Sequence, residues 1–213
     1  VNSTRPKRST LWLPVLLMVV FAMTRWPGIL PENFSAAYAL AFCAGIYLGG
    51  AMAWWLPLGT LLLTSVLLNV FAYGFPAFDR YTVFSLLGFA ALVGMGRCFK
   101  PRNSFATLLA SGLLGAVLFY LVTNTLSWLY EPTQPYPKTL AGWLQALTRG
   151  TAGWPETWTF FRNTLLSSGL FTGLFVGSMK VGEFMEQEAL SAPHGEESEE
   201  IEEGEEEKEA RPF

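Results

Sequence analysis

Apolar residues fill this chain in long blocks, broken by short polar or charged segments. A helix rises about 1.5 Å per residue, so roughly 20 apolar residues cross a hydrocarbon core. The blocks therefore read as transmembrane helices. The first runs from Leu11 to about Thr24 and could extend through Arg25 toward Leu30, with Pro14 in its first turn. Residues 35–75 carry no charge and are too many for one crossing, so they predict two helices joined by a tight turn. Gly49-Gly50, Trp54-Trp55 and Pro57 mark the break, with Pro57 expected in the first turn of the third helix. The fourth crossing is expected from about Tyr81 to Gly96, the fifth from Phe105 to Tyr130 and the sixth from Trp158 to Val181.

Between the last two, residues 131–157 are too polar to cross. Leu140, Trp143, Leu144 and Leu147 there fall at i, i+3, i+4 and i+7, the pattern of a short helix lying on the membrane or capping the bundle. The fold class is thus an all-α, polytopic bundle of six transmembrane helices, residues 11–182. A basic segment, residues 1–10, precedes it, and an acidic tail, residues 183–213, follows it.

Composition supports lipid as the main solvent: 51% of residues are apolar and the mean hydropathy is +0.33. The net charge of −3 is misleading, because only Glu32, Asp79, Glu131 and Glu156 among the acidic residues precede Glu183. The tail is too poor in apolar residues to offset the entropy of ordering, and is expected to be disordered and solvated. Arg5, Lys7, Arg8, Arg97, Lys100, Arg102 and Lys180 fall on one side of a six-crossing scheme. Arg25, Arg80, Lys138, Arg149 and Arg162 fall on the other, which favours cytoplasmic termini. A positive start before an apolar run also fits a signal peptide, but no small-x-small cleavage site follows Met23.

Placing polar side chains at membrane depth costs kilocalories unless they face a cavity or a partner. Arg25, Glu32, Asn33, Asn69, Asp79, Asn124, Arg162 and Asn163 all fall toward the non-cytoplasmic side, with Trp26, Tyr73, Trp128 and Trp158 near them. They form either a solute pocket with aromatic walls or an interfacial belt. Arg25, Asn33, Asn69, Asp79, Asn124, Trp128, Arg162 and Asn163 are the candidate binding residues; Asn124 and Arg162 are expected to share one cavity. Small residues recur every four positions at Ala37, Ala41, Gly45 and Gly49, and again at Gly169, Gly173 and Gly177. Such stripes serve packing within a bundle or docking onto another membrane subunit.

No P-loop, zinc-ligand spacing or Gly-x-Ser-x-Gly occurs, and the only histidine, His194, lies in the tail. The chain is therefore not expected to be an enzyme, nor to hold a metal or cofactor, and nucleic acid is not an expected partner. Cys43 and Cys98 read as packed side chains rather than a disulfide.

Residues 25–45 (RWPGILPENFSAAYALAFCAG), 120–128 (YLVTNTLSW), 136–143 (YPKTLAGW) and 160–165 (FFRNTL) resemble an uncharacterised family of bacterial membrane proteins. That family itself resembles, distantly, the substrate-binding S components of energy-coupling factor transporters. The resemblance implies a bacterial inner-membrane protein that captures a vitamin-like or other small solute and works with a transmembrane coupling subunit and its ATPases. The polar residues would then be the binding site and the small-residue stripes the docking face. Two alternatives stand beside it: a non-transporting scaffold or assembly protein, and a small channel or self-sufficient carrier. A channel needs a polar path, and beyond Thr64, Ser65 and Ser111 the inner halves of the helices offer little.

Overall fold

The fold is described here for residues 12–133 and 135–191 of a computed structural model; the basic cluster Arg5, Lys7 and Arg8 and the acidic stretch after Ser191 lie outside them. The described residues form seven α-helices and no β-strand: α1 (Trp12–Met23), α2 (Ala37–Tyr47), α3 (Met52–Leu67), α4 (Arg80–Gly96), α5 (Phe105–Tyr130), α6 (Leu140–Thr148) and α7 (Thr157–Ser191). A π-helical segment, Leu68–Tyr73, extends α3. Three of these stretches are long and apolar enough to cross a membrane: Met52–Tyr73, Phe105–Tyr130 and Thr157–Glu188. The architecture is that of a helical membrane protein.

Of the other expected crossings, α4 has the length that the sequence implies, and α2 is much shorter. At about 1.5 Å per residue, the 11-residue α2 is about 16 Å long, half a hydrocarbon core. Its residues from Ala37 to Ile46 are all buried, so it is an interior helix enclosed by protein. A chain enclosed in this way need not span the bilayer to keep its backbone satisfied. The break after it falls at residues 48–51, where Gly50 takes a φ of +56°, a left-handed conformation that favours glycine. Pro57, expected in a first turn, lies inside α3 and is fully buried.

Side-chain caps fix other helix starts. Asp79 accepts from the Thr82 N–H at the start of α4, Ser104 from Thr107 at α5, and Thr139 from Gly142 at α6. In α6 the small residues Gly142 and Ala146 are buried, while Leu140 and Leu144 are exposed. Only half of the apolar stripe, Leu140 and Leu144, thus faces away from the chain; Trp143 and Leu147 are half-buried. The Trp143 indole donates to Thr125 Oγ1 of α5 at 2.9 Å, so the helix caps the bundle with one edge left for a membrane interface.

The described residues divide into two units, one ending at Gly177 and the other beginning at Ser178. The first has two apolar clusters, one around Phe21, Tyr38, Leu61, Phe89 and Leu92, the other around Phe42, Cys43, Ile46, Leu108 and Val176. In the second, the helix continues past Glu183, the expected start of the tail, as far as Ser191. Lys180 and Glu183 pair there at 3.0 Å.

Candidate functional site

A cavity of about 720 Å³ opens among the C-terminal ends of α1, α3 and α5 and the N-terminal ends of α2, α4 and α7, a size that suits a small-molecule ligand. Arg25, Glu32, Asn33, Asn69, Asp79 and Asn124 all line it. Residues more than ninety positions apart in sequence therefore share one space.

Arg25 follows α1 and turns into the wall. Its Nη1 donates to the Leu61 carbonyl at 3.1 Å and to Thr64 Oγ1 at 2.5 Å, and its Nη2 to Ser65 Oγ at 3.2 Å. Among the described residues no carboxylate lies within ion-pair distance of it. Thr64 and Ser65, which the sequence places in the inner half of a crossing, are thus partners of a cation at the cavity end of α3. The loop after Arg25 is tied down by Thr24 Oγ1, which contacts Ser35 Oγ at 3.1 Å and accepts from the Ala36 N–H. Asn33 takes a φ of 58°, a left-handed conformation that Asn tolerates better than most residues.

Asn69 sits in the π-helical segment, a local widening found often at functional sites. Its carbonyl accepts from the Phe75 N–H at 2.7 Å as the chain leaves through Gly74. Its amide points to Thr82 Oγ1 at 3.4 Å, and Thr82 is itself held by Asp79 Oδ1 at 2.7 Å through both N–H and hydroxyl. Across the space, the Asn124 amide donates to the Tyr120 carbonyl at 2.9 Å.

Aromatic side chains form part of the lining. Tyr38 packs on Phe89 with centroids 5.6 Å apart and on Phe119 at 4.9 Å, and Phe89 meets Phe119 edge-on at 5.1 Å. All three line the cavity. Nothing in the spacing of these residues on α2, α4 and α5 marks them as neighbours.

Three candidate residues lie outside the lining. The Trp128 indole donates to the Pro137 carbonyl and stacks beneath Lys138 Nζ at 5.3 Å. Arg162 lies over the Trp158 ring at 5.5 Å, and Asn163 donates to the Glu32 carbonyl at 2.9 Å. The expected meeting of Arg162 with Asn124 in one cavity is absent: Asn124 lines the cavity, while the exposed Arg162 lies over the tryptophan one turn before it. Asn163 acts on the cavity indirectly, by holding the backbone of Glu32. Beside Tyr81, a lining residue, Glu131 accepts from its hydroxyl and lies 3.7 Å from Arg80. The hydrogen bond from Tyr81, with those from Thr133 and the charge of Arg80, holds the Glu131 carboxyl below the usual carboxylate range.

Most of the small-residue stripes are occupied within the chain. Ala37 and Ala41 are buried, and Gly45 packs against the α4 backbone. Gly169, Gly173 and Gly177 face Leu113, Leu109 and Phe105 of α5 in turn, while Ser168 donates to the Gly112 carbonyl. Gly49 has open space around it. The stripes set the close approach of α2 to α4 and of α7 to α5. No curated protein and no solved structure matches the chain. Residues 5–190 match the model of a Family of unknown function (DUF6580), and the chain belongs to that family.

Proposed function

We propose that this protein is the membrane-embedded subunit that captures a small solute for uptake, with separate subunits supplying the energy. The observation that carries this reading is the convergence of Arg25, Asn33, Asn69, Asp79 and Asn124 on one cavity of ligand size. A belt of interfacial residues would instead point each side chain outward to headgroups. The chain has no nucleotide-binding loop of its own, so uptake against a gradient would need an ATPase partner. In this reading α1, α3, α4, α5 and α7 pass through the bilayer of a bacterial inner membrane, and the short α2 with its flanking loops makes the sixth passage inside the bundle, so that both termini are cytoplasmic and the cavity opens on the outer side. The fold would then parallel that of energy-coupling factor S components.

The internal use of Gly45, Gly169, Gly173 and Gly177 bears on how such a subunit would dock. A coupling subunit would have to meet another surface, and the exposed Leu166, Leu170 and Leu174 on α7 offer an apolar one.

Native mass spectrometry of the purified protein tests the proposal. A small molecule that leaves when Asn69→Leu is introduced supports it. An empty wild-type protein that also binds nothing from a solute extract would favour the scaffold reading, in which the polar residues only tie helices together.

A further inference from the structure

We infer that the solute carries an anionic group next to a flat ring, with Arg25 reading the anion and Tyr38, Phe89 and Phe119 the ring; this rests on the solute-capture reading above. A guanidinium has five N–H donors. Arg25 directs three of them at Leu61, Thr64 and Ser65, leaving Nε and one Nη2 hydrogen without a partner among the described residues. Those three partners are neutral. A cation held between helices in a medium of low polarity lacks full compensation from neutral dipoles, and an anion completes it.

Among the described residues no carboxylate supplies that anion. Glu32 and Asp79 line the same cavity, yet neither comes within ion-pair distance of Arg25. One oxygen of Asp79 is already engaged twice by Thr82. Tyr38 and Tyr73, which line the cavity with Arg25, are phenols and bring no carboxylate to it. Tyr38 joins both Phe89 and Phe119, and all three line the same cavity as Arg25, so the unmatched cation and the aromatic surface face one space. A carboxylate takes two N–H donors of one guanidinium at once, and an attached ring then lies where edge and face contacts with the aromatic trio are available.

Benzoate and benzamide are matched probes, alike in shape and differing in charge. Titrated into the full chain in neutral detergent, with binding read by saturation-transfer NMR, benzoate is expected to bind about tenfold tighter, the size of one charge-assisted hydrogen bond. Arg25→Gln should abolish this preference while benzamide still binds, which also shows that the variant is folded. Should that variant fail to fold, the wild-type preference and its persistence in Arg25→Lys decide the matter. Equal binding of both probes to the wild type overturns the anion assignment alone. Binding of neither overturns the assignment together with the solute-capture reading. If phosphatidylglycerol in mixed micelles shifts the Arg25 guanidinium resonances and benzoate does not, the cation belongs to a lipid headgroup and the assignment fails.

Discussion

Gly45 of α2 and Gly96 of α4 meet backbone to backbone: a Cβ on Gly45 would lie 2.3 Å from the Val93 carbonyl oxygen, and one on Gly96 2.1 Å from that of Phe42. Neither obstacle is a side chain that can swing away. Gly45→Ala and Gly96→Ala should each cost about 1–3 kcal/mol or more through overpacking, read as a lower Tm in detergent. Gly49→Ala, with open space around it, should leave Tm unchanged. Wild-type melting of the first two variants would show that α2 and α4 do not touch there.

Gly88 is a different case, because its added Cβ would meet side chains, Phe119 Cδ2 and Thr123 Cγ2, each at 2.7 Å. Those side chains line the cavity and can shift into it. Gly88→Ala is therefore expected to weaken solute binding several-fold with little change in Tm. A large Tm loss with binding intact would count against this account.

Asn124 and Arg162 should separate cleanly. Asn124→Ala removes a lining amide and is expected to lower occupancy of a co-purifying solute about tenfold, the scale of one hydrogen bond. Arg162→Ala removes a cation over Trp158, worth roughly 0.5–1 kcal/mol at an exposed site, and should leave occupancy unchanged. Native mass spectra of the two variants, taken side by side, decide it.

Glu131 predicts a pH dependence. Its folded-state pKa is depressed, chiefly by the hydrogen bond from Tyr81, so its contribution is complete above the unfolded carboxylate range. That contribution is lost as pH falls through the lower folded value. Between neutral pH and about pH 3, Tm should fall more steeply for the wild type than for Glu131→Gln. Parallel curves would mean that the contacts of Glu131 with Tyr81 and Arg80 do not persist in solution.

The two cysteines report on topology. Cys98 is exposed and Cys43 is buried, so a membrane-impermeant maleimide should label Cys98 alone. Under the six-crossing proposal it reacts in inverted vesicles and not in intact spheroplasts. Labelling from the outer side would reverse the orientation.

The sequence by itself determined the helices, because lipid leaves the chain few other options: apolar blocks and their charged ends predict α1 to α7 in order, down to the short α6. It also determined which polar residues are costly enough to need a reason, and Arg25, Asn33, Asn69, Asp79 and Asn124 do share a cavity. Tertiary structure decided the rest. Counting apolar residues could not show that α2 is a short helix enclosed by its neighbours, since burial in protein and burial in lipid select the same side chains. Nor could spacing tell which face of a helix turns inward. The outcome placed Arg162 on its own tryptophan and set Gly45 against α4, while Thr64 and Ser65 became the partners of Arg25. Helix-to-helix rotation is set by the sum of many contacts between segments distant in sequence, and no single stretch of chain carries that information.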